Sequence, residues 1–126
     1  WQQMAGLLAR AALYVGPDTS TTHLAAAVGV PIVSVFGPTN PLRWAPLGHD
    51  APATGRRPAF ARYSEQTQRR GRVILLQGPG ACVPCGRAGC EDRNESHSAC
   101  LEAIGAQRVI DAIESVLEQC PLVVAA

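Results

Sequence analysis

At 126 residues the chain is one domain at most, since domains run to about 100–200 residues, and it is long enough to bury one core. Hydrophobic residues make up 47% and charged residues 17%, which excludes a disordered tail. A formal net charge of +1, from 11 basic and 10 acidic residues, gives no electrostatic reason to expect a nucleic-acid partner or a surface built for anionic membranes.

No stretch approaches the ~20 continuous apolar residues of a membrane span. The start, Trp1-Gln2-Gln3-Met4, lacks the basic and apolar regions of a signal peptide and reads as the middle of a helix. The chain is therefore expected to be a piece of a longer protein. Residues 1–12 carry Trp1, Met4, Ala5, Leu8 and Ala12 at helical steps. Leu13-Tyr14-Val15 is a short strand candidate ended by Gly16-Pro17, and Asp18-Thr19-Ser20 supplies N-cap chemistry for a helix from about Thr21 to Val28. Gly29 ends that helix. Ile32-Val33-Ser34-Val35-Phe36 is β-branched and nearly all apolar, as a central parallel strand should be, and Gly37-Pro38-Thr39-Asn40-Pro41 closes it as a turn.

Strand, capped helix and strand make a βαβ unit of a parallel sheet with flanking helices, an α/β class of fold. Functional loops of such sheets lie at the carboxyl ends of the strands, where 16–20 and 37–47 fall. From Gly48 to Arg72 the chain reads as a long loop with at most one short helix. Its six Arg (56, 57, 62, 69, 70, 72) suggest either a solvated loop or a surface for an anionic membrane or a phosphorylated polysaccharide core. Val73-Ile74-Leu75-Leu76 is a third strand, 78–100 a Gly- and Cys-rich loop, and Val109, Ile110, Ile113, Val116 and Leu117 mark one face of a closing helix at about 106–119.

Two constellations carry chemistry. A Gly-Pro turn after a strand, followed by Asp18, Thr19, Ser20 and Thr21 at a helix start and His23 one turn in, brings free amides and the positive helix end together, a setting for a diphosphate. Ordinary N-capping by Asp18 or Ser20 explains the same residues without any ligand. On the neighbouring loop Thr39 and Arg43 are candidates for contact with a ligand at the same edge (donor or acceptor, on the family resemblance given below), or a turn with Arg43 solvated, and Trp44 and Pro46 are expected to pack. The second constellation is Cys82-x2-Cys85-x4-Cys90-x9-Cys100, four thiols that can complete a tetrahedral zinc or iron site, or remain as thiols or disulfides. Cys120 stands apart, near the chain end.

The stretch VGPDTSTTHLAAAVGVPIVSVFGPTNPLRWAPLG, residues 15–48, resembles the signature of glycosyltransferase family 9, the ADP-heptose:lipopolysaccharide heptosyltransferases. Family members read D-T-G-x-x-H-L-A-A, G-x-P, an apolar strand, F-G-x-T-x-P and W-x-P-x-G; the C-x-P-C loop and closing helix also agree. The resemblance implies a GT-B enzyme of two Rossmann-like domains. Residues 1–126 would be part of the C-terminal, donor-binding domain, with Cys-rich loop 78–100 and closing helix 106–119. It implies that Asp18, Thr19, Ser20, Thr21 and His23 line the pocket of the donor diphosphate, with Ser20 standing where the family has Gly. It implies inverting transfer of heptose from ADP-heptose to the lipopolysaccharide core, with no cofactor required for transfer, no catalytic residue in this chain and the base in an absent N-terminal domain. A cytoplasmic location at the inner face of the bacterial inner membrane, with peripheral membrane contact, follows from that role. The alternatives are a non-catalytic, metal-stapled interaction module and an epimerase-like nucleotide-sugar fragment.

Overall fold

The computed structural model describes residues 1–48 and 60–119. Among these, the elements in chain order are α1 (Gln2–Leu8), β1 (Tyr14–Pro17), α2 (Ser20–Ala27), β2 (Ile32–Phe36), α3 (Pro41–Trp44), β3 (Gln68–Arg70), β4 (Val73–Gln77), α4 (Ala99–Glu102) and α5 (Ala106–Gln119). The strands form one sheet in the order β1-β2-β4-β3. Tyr14 to Pro17 pair in parallel with Ile32 to Val35, and Ile32 to Phe36 pair in parallel with Val73 to Gln77. β3 pairs antiparallel with β4 through Gly71, whose φ of +54° suits the tight reversal. The architecture is a Rossmann-like α/β sheet carrying one antiparallel edge strand.

Alternation along the central strands divides the core between the two faces of the sheet. Ile32, Phe36, Val73 and Leu75 join Leu8, Ala25, Ala26, Val30 and Phe60 on the face covered by α1 and α2. Val33, Ile74 and Leu76 join Ala112 and Val116 of α5 on the other. A sheet covered on both faces needs unbroken apolar strands, which is why β2 and β4 show no polar alternation. All five residues of β4 are buried, as are all of β2 but the partly exposed Val35.

The expected helix at 21–28 begins one residue earlier. Its C-terminus closes as a Schellman turn: the Val30 amide donates to the Ala25 carbonyl, the Gly29 amide donates to that of Ala26, and Gly29 takes a φ of +83°. The strand expected at 13–15 runs instead from Tyr14 through Gly16 to Pro17, which an edge position permits because proline has no amide to offer a further neighbour. The helix expected over 1–12 ends at Leu8. The turn expected at 37–41 opens into α3, because Asn40 Oδ1 accepts from the Leu42 amide at 3.0 Å and Pro41 sits at the first helical position.

Within the segment expected to be loop, residues 68–70 form β3, and its arginines are held rather than solvated. Gln68 accepts from the Ala61 amide at 2.6 Å, and the Arg70 guanidinium lies 5.5 Å from the Phe60 ring centre. Arg69 reaches Ser115 of α5 at 3.5 Å, and Arg72 donates to the Gly29 carbonyl at 3.3 Å. Tertiary pairing against β4 overrides a weak strand propensity here. Arg56 and Arg57 lie outside the described residues, as does Cys120.

Candidate functional site

The parallel register sets the loops after β1 and β2 side by side at the carboxyl edge of the sheet, since Pro17 and Val35 are partners. Asp18 and Thr19 form the first loop. Thr19 is the N-cap of α2, with extended backbone at φ −144° and ψ 166°, yet its side chain makes no capping hydrogen bond. Its hydroxyl instead lies 3.3 Å from that of Thr22. Buried Thr22 donates to the Pro17 carbonyl at 2.6 Å and lies 3.2 Å from the Tyr14 hydroxyl. A threonine in the first turn of α2 thus ties the helix to the last residue of the strand. A Cβ on Gly16 would fall 2.5 Å from the Tyr14 hydroxyl, so a larger residue there would push the Tyr14 side chain away from Thr22. The resulting helix N-terminus is rigid, and no side chain caps it. Its first amides have no side-chain partner, the setting in which a helix N-terminus can take an anion.

Asp18 is the most constrained acid of the edge. Its side chain is 16% exposed, and burial raises its carboxyl above its ordinary value, opposed by the nearby Thr39 and His23 side chains. His23 Nε2 stands 3.8 Å from Asp18 Oδ1 and is 44% exposed. Asp18, Thr39 and His23 therefore meet, from two loops and a helix. Ser20 is exposed and Thr21 half-buried in the first turn of α2. Arg43 is exposed on α3. The packing expected of residues 44 and 46 divides: Pro46 is fully buried, whereas Trp44 is 54% exposed and stands out from α3 with Leu42.

The four cysteines of loop 78–100 line a single cavity of about 350 Å³ together with Pro38, Arg87 and Ser98. Cys82, Cys85 and Cys90 are exposed and Cys100 is buried, all as free thiols. The Cys90 sulfur accepts from the Ala99 amide at 3.4 Å, and the Cys100 sulfur lies 3.5 Å from the Ser98 hydroxyl. Among the described residues, no three His, Cys, Asp or Glu side chains are grouped so as to hold a metal ion. In this arrangement the thiols share a cavity without forming a coordination sphere.

The loop has a second connection to the sheet edge, which sequence reasoning missed. The Gly86 amide donates to the Pro38 carbonyl at 2.8 Å, so the cysteine loop buttresses the residue before Thr39. Gln77, at the end of β4, was also missed. It is fully buried, its Oε1 accepts from the Ser64 amide at 3.3 Å, and its Nε2 finds no partner among the described residues. A polar residue closing a run of four apolar ones was the available signal.

The fold and its carboxyl-edge loops define a Rossmann-like α/β domain. The chain belongs to glycosyltransferase family 9 (heptosyltransferase), whose model matches residues 1–73. It is similar to lipopolysaccharide heptosyltransferase 1 of Pseudomonas aeruginosa, 31% identical over 125 residues, covering 90% of this chain and 29% of the relative. It is also similar to lipopolysaccharide heptosyltransferase 3 of Escherichia coli, 39% identical over 48 residues, covering 38% of this chain and 14% of the relative. The chain spans less than a third of the length of these curated relatives. No solved structure matches it significantly.

Proposed function

We propose that this chain is the donor-binding part of a heptosyltransferase that moves heptose from ADP-heptose to a hydroxyl of the lipopolysaccharide core. Family membership supports the class of reaction, and the names of the relatives support the sugar and the acceptor. The observation that carries the reading is the N-terminus of α2, which is free of any side-chain cap and flanked by Asp18, Thr39 and His23.

Glycosyl transfer to a hydroxyl needs a base for the acceptor proton and fixed dipoles for the leaving diphosphate. The amides of Ser20 and Thr21, the Thr19 hydroxyl and the positive end of α2 supply the second. They are preorganised by the Thr22 bond to Pro17, so no reorganisation is required as charge develops. Asp18, as a carboxylate, suits hydroxyl groups of the donor rather than its phosphates, and His23 offers a ring nitrogen on the same side. The base, the acceptor contacts and the adenosine pocket are assigned to the remainder of a two-domain, GT-B, inverting enzyme. Such an enzyme would work in the cytoplasm at the membrane face. Among the described residues no helix is long and apolar enough to cross a membrane, which agrees with peripheral contact.

The test is Thr19→Ala in the full-length enzyme, with Arg62→Gln on an exposed loop as the control. Loss of one hydrogen bond to a charged group, about 1.5–3 kcal/mol, lowers kcat/KM for the donor roughly ten- to hundredfold. Equal donor kinetics in the two variants would remove the diphosphate from this helix.

A further inference from the structure

Tyr14 and Gly16 share one face of β1, and the Tyr14 ring runs along the strand above Gly16: a Cβ there would fall 2.5 Å from the phenol oxygen and 2.8 Å from the carbon that bears it. The ring packs on the core beneath α1 and α2 and brings its hydroxyl to Thr22, 3.2 Å away. Thr22 is fully buried, so its hydroxyl must be satisfied within the protein. A hydroxyl has one proton and two lone pairs. The 2.6 Å contact with the Pro17 carbonyl, which can only accept, takes the proton. Tyr14 is therefore the donor in its pair with Thr22, and the order of protons runs from Tyr14 through Thr22 to Pro17. The Thr19 hydroxyl, at 3.3 Å, meets the remaining lone pair at a distance too long for a strong O–H···O bond.

We propose that Tyr14 and Thr22 are positioning residues of the donor site: together they hold the Pro17 carbonyl off the diphosphate and leave the Thr19 hydroxyl as the one of the three that turns toward it. This rests on the donor-site reading above. Pro17 lies two residues before the N-cap of α2, so its carbonyl oxygen, a centre of partial negative charge, stands at the helix end that offers amides to an anion. A hydrogen bond from Thr22 draws that oxygen inward and fixes the peptide plane, and Thr22 is itself held in place by Tyr14. Without the Thr22 hydroxyl the carbonyl loses this donor and is free to face the diphosphate. Buried Thr22 and the Tyr14 behind it do not touch the donor; both act through the backbone at Pro17 and the seat of Thr19.

The experiment compares ADP and adenosine binding by titration calorimetry, with donor and acceptor kinetics, in the full-length transferase. Thr22→Val keeps the shape and lacks the hydroxyl, Thr22→Ser restores it, and Tyr14→Phe removes only the donor behind it. Thr22→Val is expected to weaken ADP binding and lower kcat/KM for ADP-heptose about tenfold, with adenosine binding and the acceptor KM within about twofold of the parent. Tyr14→Phe should give a loss of the same kind, about threefold, and Thr22→Ser should stay within about twofold of the parent. Melting temperatures identify variants that fold, and Tyr14→Phe alone carries the test should Thr22→Val not fold. Equal losses for ADP and adenosine overturn the positioning role alone. So does parental ADP affinity in Thr22→Val and Tyr14→Phe beside an impaired Thr19→Ala. Parental ADP affinity in Thr19→Ala as well removes the diphosphate from this helix and overturns the donor-site reading itself.

Discussion

Buried polar groups without partners mark where single residues work against stability. Ser34 is fully buried in β2, and its hydroxyl has no partner among the described residues. Ser34→Ala should remove a desolvated hydroxyl while leaving the packing intact, raising stability by about 1 kcal/mol. That gain corresponds to a melting shift of roughly 3–5 °C in a chain of this size, readable by calorimetry. Asp18 presents the same tension at the candidate site. Its folded pKa is raised, chiefly by burial, so the folded state binds the proton more tightly than the unfolded one. Below the unfolded value both states are protonated and no cost arises. As pH climbs from 3.8 through the folded value, ionising a half-buried carboxyl withdraws stability. Asp18→Asn should therefore melt higher than the parent near neutral pH, the difference disappearing at about pH 3. A parent as stable as the variant at neutral pH would contradict that sign. Retaining a destabilising acid is what a binding site, rather than a helix cap, would require.

The cysteine loop is an element without regular structure until α4, and its attachment depends on close approach. A Cβ on Gly78 would fall 1.7 Å from the Cys100 carbonyl oxygen, a backbone atom that cannot swing aside. Gly78→Ala should push the loop from the end of β4 and cost about 1–3 kcal/mol or more, measurable by urea denaturation. The same change should weaken donor use in the full-length enzyme, since the loop supports Pro38. The thiols can be read by alkylation and mass spectrometry. From their exposure, Cys82, Cys85 and Cys90 should react in the folded chain and Cys100 only after denaturation. Joint protection of all four, lost on adding a chelator, would instead assign them the shared metal that their spacing suggests.

On the proposed reading the whole chain supplies one half of a reaction. It has an uncapped helix N-terminus, a carboxylate and a histidine at one sheet edge, and its matches cover less than a third of each curated relative. The isolated 126-residue chain should give no heptosyl transfer from ADP-heptose in a radiolabel assay. Detectable turnover would mean that the base and acceptor surface are here, contrary to the division proposed. Among the described residues Trp1, Met4 and Leu7, at the start of and along α1, are exposed, and β1 and β3 each pair on one side only.

The sequence by itself determined what short-range chemistry controls. Apolar β-branched runs can become only buried strands, so β2 and β4 stood out. Gly29 marked the end of α2, and the 3.6-residue apolar period marked α5 at 106–119. The residues of the candidate edge were legible too, because Gly-Pro and Asp-Thr-Ser-Thr are local turn and helix-start chemistry. Tertiary structure decided the rest. Gln68-Arg69-Arg70 has no strand signal of its own and is extended only because β4 offers a ladder and Phe60 a ring to stack on. Whether Asp18 or Ser20 would cap α2 turned on geometry: Thr19 is the N-cap, and Asp18 stands 3.8 Å from His23 instead. The pairing of Pro17 with Val35, which sets the loops after β1 and β2 side by side, joins residues 18 positions apart, and no local pattern encodes it. It exists because β1 and β2 lie in register, which is a property of the assembled sheet.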